Sequence, residues 1–206
     1  MRLEELTIGV LSGGKSSRMG SNKAELEYEN KSFIEHILLQ TNRFSERLVS
    51  VDDKGKYQWL SESKESDFKL VEDEYKDFGP IEGIYQLLKE TTSEYCFIIA
   101  TDMPCLTEKF FQDFANEHHG EDCLVLEVNE RPEPLCSIYG KSCIPFLESF
   151  REQGLHRPRF LFEKVNTRFI KIEELGYSPS VVSNINTPAE YREFLEETLN
   201  VHQRTI

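Results

Sequence analysis

The sequence predicts an α/β fold, a mostly parallel sheet covered by helices on both faces with an antiparallel extension. Three observations predict it. Apolar runs alternate with stretches of helical periodicity through the first half of the chain. Those runs are nearly continuous rather than strictly alternating, as strands buried on both faces require. Three of them in succession end in acidic residues, at Asp53, Asp73 and Asp102, and open α/β sheets bind ligands in the crevice at the carboxyl ends of their strands. Taken singly, each of these acids also suits a turn. A chain of 206 residues is long enough for one well-buried domain, expected to span residues 1–206, and short for two.

The first strand is the apolar run Leu6 to Leu11, which breaks into Ser12-Gly13-Gly14-Lys15-Ser16-Ser17-Arg18-Met19-Gly20-Ser21-Asn22-Lys23. Glycines let backbone N–H groups approach phosphate oxygens closely, and Lys15, Arg18 and Lys23 bring positive charge to the same loop. A polyanion cradle, and hence a nucleotide, is implied. Ser32 then caps a helix whose apolar residues recur at helical spacing from Phe33 to Leu39. Leu48–Val51 and Phe68–Val71 read as the second and third strands, with residues 54–67 charged and weakly periodic between them. Pro80 opens a helix over Ile81–Lys89, and Tyr95–Ala100 is the next buried strand. Leu124–Leu126, a polar turn from Asn129 to Pro134, and Leu135–Tyr139 form the antiparallel pair that extends the sheet. Residues 140–164 read as helical and carry His156-Arg157-Pro158-Arg159, which suits either a second anionic ligand or a solvated helix entry. Val181-Val182 reads as a short strand leading into a last helix beyond Asn184-Ile185-Asn186-Thr187-Pro188.

Charge and composition restrict the partners. The formal net charge is −13, with 37 acidic against 24 basic residues, which argues against a nucleic-acid or anionic-membrane surface. Cations concentrated in one glycine-rich loop of an acidic chain suggest a small, highly charged ligand. The amino terminus is charged and resembles no signal peptide, and no apolar run approaches membrane-spanning length, so a cytoplasmic protein is expected. The five cysteines form no C-x-x-C pair, which points to free thiols rather than a disulfide framework or zinc site.

Gly9 followed after four residues by Gly14-Lys15-Ser16 fits the P-loop pattern. The register disagrees, because a true P-loop leaves its strand at the first glycine whereas Val10 and Leu11 still read as strand. In that alternative, a P-loop NTPase, Asp102 would be the magnesium aspartate.

Read as a longer cradle, Leu11-x-Gly-Gly-x-Ser-x-Arg-Met-Gly-x-x-Lys resembles the signature of the sugar-nucleotide and cofactor nucleotidyltransferases. Glu72-Asp73, Gly79-Pro80-Ile81-Glu82-Gly83, Ala100-Thr101-Asp102-Met103-Pro104, Glu133-Pro134-Leu135 and Asn184-Ile185-Asn186-Thr187-Pro188 extend the likeness over nearly the whole chain, to the MobA-type molybdenum cofactor guanylyltransferases. The resemblance implies a Rossmann-like three-layer sandwich of the GT-A kind. It implies transfer of GMP from GTP to the phosphate of molybdopterin cofactor, with Mg2+ held by Asp102 and charge offset by Arg18 and Lys23. Nucleotide contacts are implied for Leu11, Ser12, Gly13, Gly14, Lys23, Asp53, Asp73, Gly79, Gly83, Asp102, Asn184 and Asn186. Two departures stand out. Ser12 replaces the family's usual alanine, and Asp53 stands where asparagine is common. Gly79 and Gly83 also suit helix-entry packing, and the two asparagines also suit a turn. Transient contact with molybdenum-cofactor donor and acceptor proteins would follow. A cytidylyltransferase for the same cofactor, another small-acceptor nucleotidyltransferase, or a nucleotide-binding protein without turnover are the alternatives.

Overall fold

The computed structural model of the protein describes residues 1–12, 23–62 and 67–203. Strand β1, Thr7–Leu11, is buried along its whole length. Beyond the loop, Lys23–Glu25 form a 3-10 turn, and a small hairpin follows from β2, Glu27–Tyr28, to β3, Lys31–Ser32. Glu29 and Asn30 both take positive φ, the requirement of a two-residue hairpin turn whose twist matches its strands. Helix α1, Phe33–Leu39, begins on the expected cap: Glu35 N–H donates to Ser32 Oγ and Ser32 N–H donates to the Glu35 carboxylate. Next come β4, Glu46–Val51, a 3-10 helix over Lys54–Glu62, and β5, Lys69–Glu72. Helix α2, Pro80–Glu90, leads to β6, Tyr95–Ala100, and α3, Glu108–Asn116. A hairpin of β7, Cys123–Val128, and β8, Arg131–Gly140, is followed by α4, Ile144–Glu152, β9, Thr167–Lys171, and α5, Pro188–Gln203.

Among the described residues the main sheet has seven strands in the order β5-β4-β1-β6-β8-β7-β9. Every pairing is parallel except the two made by β8, which runs against both β6 and β7. The expected antiparallel extension is therefore the β7–β8 hairpin, folded so that its second strand lies beside β6. Side chains alternate between two cores. Ile8, Val10, Val49, Val51, Phe97 and Ile99 face Ile34, Ile37, Phe110, Phe111 and Phe114 of α1 and α3, while Leu11, Leu48, Cys96 and Ile98 face Ile84, Leu88, Leu147 and Phe150 of α2 and α4. The result is three layers, helix on sheet on helix.

Three local expectations are corrected. The polar turn is only Asn129-Glu130, both at positive φ, so β8 begins at Arg131 and carries Pro132 and Pro134 past an irregular register between Val125 and Leu126. Residues 140–164 hold one helix of nine residues; Gly154 at φ +69° ends it, and only a 3-10 turn over Pro158–Phe160 follows. Pro179–Val182 is a 3-10 turn rather than a strand. Helix α3 and strand β9 were not anticipated. All five cysteines are free, four of them buried, and among the described residues no helix is long and apolar enough to cross a membrane.

Candidate active site

The chain passes from β1 outward to β4 and β5, then returns through α2 to β6 on the other side of β1. The strand order reverses between β1 and β6, and a crevice opens at the carboxyl ends on such a switch point. Main-chain bonds fix that edge. Thr101 N–H donates to Leu11 O at 3.1 Å, Ser12 N–H to Ser50 O at 2.9 Å, and Asp73 N–H to Val51 O at 2.9 Å. Leu11, Ser12, Asp73 and the Thr101-Asp102 pair are thereby gathered on one rim. Val10 and Leu11 lie inside β1, so Gly9 does not open a loop, and the P-loop register fails on this point.

The first loop residue is clamped from outside its own segment. Ser12 Oγ donates to Tyr57 Oη at 3.0 Å, and the Tyr57 hydroxyl in turn donates to the Ser12 carbonyl. Both residues are buried, so the serine that departs from the family pattern gives the tyrosine a partner an alanine would lack. Ser50 Oγ donates to Asp73 Oδ1 at 2.8 Å. Burial pushes the Asp73 carboxyl up to about 6, while the Ser50 hydrogen bond pulls it the other way.

Gly83 lies in the first turns of α2, where a Cβ would stand 2.4 Å from Leu11 Cδ2 and 2.8 Å from Ser50 Oγ. The glycine lets the helix rest on both residues that frame this end of the rim. Gly79 caps α2 at φ +88°, a conformation that side chains rarely adopt. Asp53 is exposed and accepts from Gly55 N–H at 2.8 Å, closing its own turn.

At the other end of the rim, Ile185 N–H donates to Asp102 O at 2.9 Å. That bond carries Asn184, exposed, and Asn186, half-buried, to the Asp102 strand end. The two asparagines also form the entry to α5, where Asn186 and Thr187 N–H groups donate to Glu190 Oε2 at 2.7 and 2.9 Å. The segment after Lys23 comes to the same end. Ala24 is buried, Tyr28 Oη donates to Pro104 O at 3.4 Å, and Tyr191 Oη donates to Glu27 O. Gly13, Gly14 and Arg18, together with Lys15, lie outside the described residues.

Glu133 belongs to this end as well. Its carboxyl accepts from Leu135 N–H at 3.2 Å and is raised by burial, with the charge of Asp102 adding to the rise. Asp102, Asn184 and Asn186 carry oxygen donors of the kind that hard divalent cations prefer, although no cluster of three His, Cys, Asp or Glu side chains that could hold a metal ion occurs among the described residues. Sequence reasoning assigned no role to Ser50, Tyr57, Glu82, Glu133 or Arg151. Glu82 and Glu133 stood inside motifs it quoted, but Tyr57 and Arg151 carried no signal that a local pattern could reveal.

Residues 8–168 match the MobA-like NTP transferase domain. The chain belongs to this family. The MobA-like NTP transferase from Clostridium perfringens named "Probable molybdenum cofactor guanylyltransferase" is 33% identical over 198 residues, covering 93% of this chain and 96% of the relative. The solved molybdopterin-guanine dinucleotide biosynthesis protein A of Archaeoglobus fulgidus superposes with a TM-score of 0.81 at 27% identity, covering 95% of this chain and all of that one. A Mycobacterium tuberculosis protein solved in complex with manganese shares the fold, with a TM-score of 0.64 at 12% identity over 93% of this chain and 98% of that one. MobA-like NTP transferases are nucleotidyltransferases and typically depend on a divalent metal.

Proposed function

We propose that this protein transfers GMP from GTP to the terminal phosphate of molybdopterin cofactor, forming molybdopterin guanine dinucleotide and pyrophosphate. The observation that carries the proposal is the switch-point rim, with Asp73 at one end and Asp102 at the other, in a family member whose near full-length relatives bear guanylyltransferase names. The acceptor phosphate is already ionised at neutral pH, so its oxygen attacks the α-phosphorus of GTP without a strong general base. A P–O bond forms to the acceptor, and the bond from the α-phosphorus to the β-phosphate oxygen breaks. Alignment and charge compensation are the protein's task.

Asp73 would accept hydrogen bonds from guanine N1 and N2 or from ribose hydroxyls. Main-chain groups of Leu11, Ser12, Gly13 and Gly14 would meet base and phosphate, and Arg18 and Lys23 would offset charge on the transferring and leaving groups. Asp102, with Asn184 and Asn186, would hold Mg2+. When bound, that ion polarises phosphoryl oxygens and neutralises charge developing on them. Gly79 and Gly83 shape the helix that backs the nucleoside, and Asp53 frames the neighbouring strand end. A cytoplasmic enzyme in transient contact with molybdenum-cofactor donor and acceptor proteins completes this reading.

Incubation with molybdopterin cofactor, magnesium and each nucleoside triphosphate, followed by product mass analysis, tests it. The guanine dinucleotide with pyrophosphate is expected. Dominant cytidine product in a GTP and CTP competition would assign a cytidylyltransferase. γ-Phosphate release without a dinucleotide would assign an NTPase, and binding without turnover a nucleotide-binding protein.

A further inference from the structure

The backbone beyond Asp73 is unusual in what holds it. Glu72 and residues 74–77 are exposed, and Asp77 takes a positive φ, so little apolar burial fixes the segment. Its main-chain donors go instead to a buried charge. Glu82, 0% exposed in the first turn of α2, accepts at Oε1 from Glu74 N–H at 2.9 Å, from Tyr75 N–H at 3.2 Å and from Gln86 Nε2 at 2.8 Å. Arg151 of α4 completes the shell: its Nε donates to Glu82 Oε2 at 2.5 Å, and its Nη2 donates to Glu74 Oε2 at 2.9 Å. The guanidinium carbon lies 4.4 Å from the centre of the Tyr75 ring and 4.0 Å from that of Tyr85.

Stability alone does not account for this arrangement, since a well-packed apolar pair commonly equals or exceeds a buried ion pair. Apolar side chains cannot, however, capture two consecutive main-chain N–H groups. Asp73 itself is bonded to Val51 O and Ser50 Oγ, and Ser50 packs on Gly83, the residue next to Glu82. Both sides of Asp73 are thus referenced to one turn of α2.

We propose that Glu82, held by Arg151, is a positioning residue for nucleoside recognition: it fixes the two residues after Asp73 and so sets where that carboxylate stands in the crevice. The inference rests on the reading that Asp73 contacts the nucleoside. Displacing a contact by even an ångström is costly when binding depends on aligned hydrogen bonds.

The test compares Glu82→Gln, Arg151→Lys, the paired Glu82→Gln/Arg151→Met, Asp73→Asn and the Asp73→Asn/Glu82→Gln double variant. Each is assayed for transfer from GTP and for direct binding of magnesium GTP without acceptor. Glu82→Gln is expected to raise the GTP KM and Kd about tenfold or more, leaving kcat and the acceptor KM within about twofold. Arg151→Lys should shift them in the same direction. In the Asp73→Asn background Glu82→Gln should add nothing, because it acts through Asp73. If Glu82→Gln does not fold, the paired variant, which leaves no unmatched buried charge, decides in its place. Unchanged GTP affinity in a folded Glu82 variant, beside a raised KM in Asp73→Asn, overturns the positioning role alone. Full additivity of the two substitutions overturns it as well. An unchanged KM in Asp73→Asn overturns the nucleoside reading of Asp73, and the positioning role with it.

Discussion

Asp73 offers a pH signature that can be worked from its surroundings. Its carboxyl is raised to about 6, first by burial and then by the neighbouring charges of Glu82 and Asp52, while Ser50 and Lys76 pull it down. Only the carboxylate can accept two hydrogen bonds from the nucleoside; the protonated form surrenders one acceptor and presents a donor. If Asp73 reads the nucleoside, the GTP KM should be flat above pH 7 and climb about tenfold by pH 5, one unit below the folded pKa, with kcat little changed. Asp73→Asn supplies the control, since it retains the titration of the nucleotide's own phosphates and loses that of the side chain. The same group predicts a stability effect of definite sign. With the folded pKa raised above the ordinary aspartate value, the protonated form favours folding below pH 4. That contribution is lost as pH rises through about 6. Asp73→Asn should therefore raise the thermal midpoint at pH 7.5 and not at pH 4. Steady-state kinetics across pH 5–8 with thermal unfolding at both ends measure these effects. A wild-type KM that is flat across that range, or a slope that persists unchanged in Asp73→Asn, refutes the reasoning.

The remaining predictions are simpler. Lys23→Ala should cut transfer roughly a hundredfold or more, the usual cost of one transition-state charge contact, with an unchanged thermal midpoint; full activity in the variant removes the lysine from the mechanism. Asp102→Ala should abolish transfer at every practical magnesium concentration, and undiminished metal-dependent turnover would reassign the metal. Tyr57→Phe strips the buried Ser12 carbonyl and hydroxyl of their shared partner, costing about 1–3 kcal/mol, which lowers the midpoint by roughly 3–9 °C for a chain of this length. An unchanged midpoint in thermal unfolding would show that Ser12 finds other partners.

What could be read in advance depended on whether the physics was local. Strands β1, β4 and β6 were legible because each is a compact apolar run buried on both faces, and α1 because Ser32 and Glu35 complete a cap within four residues. Helix α3 carries an equally good local signal, Thr107 as its cap and Phe110, Phe111 and Phe114 on one face, and was legible on the same grounds. Strand β9 was not legible at all. It is half-exposed, holds Arg168 and Lys171, and exists because β7 offers it a parallel partner, a long-range fact. The prolines at 132 and 134 suggested a wide turn, yet two positive-φ residues suffice to reverse the chain. At the site the same division holds. Asp73 and Asp102 could be named as strand-end carboxylates, whereas Ser50, Tyr57 and Arg151 bond Asp73, Ser12 and Glu82 from 23, 45 and 69 residues away.

The strand order also bears on how, in the proposed function, one rim would serve both ends of a nucleotide. Asp73 follows β5 and Asp102 follows β6, with β4 and β1 between them. Three inter-strand steps of roughly 4.8 Å separate these strand ends by about 14 Å, room for a nucleoside to lie across β4 and β1 with its phosphates toward β6. The two flanks of the glycine-rich segment are tied, at Ser12 after β1 by Tyr57, and beyond Lys23 by the buried Ala24 and by Tyr191 bonding Glu27. A triphosphate approaching carboxylates on a chain of net charge −13 meets repulsion unless cations stand where its phosphates must go. Lys15, Arg18 and Lys23 all fall within the segment that those anchors bracket. In the proposed function, recognition of the nucleoside at Asp73 and neutralisation of the phosphates by the loop cations would then be tuned separately. Within the proposed function, a change of base preference would need altered contacts near β5 while the metal end and the transfer chemistry stayed as they are.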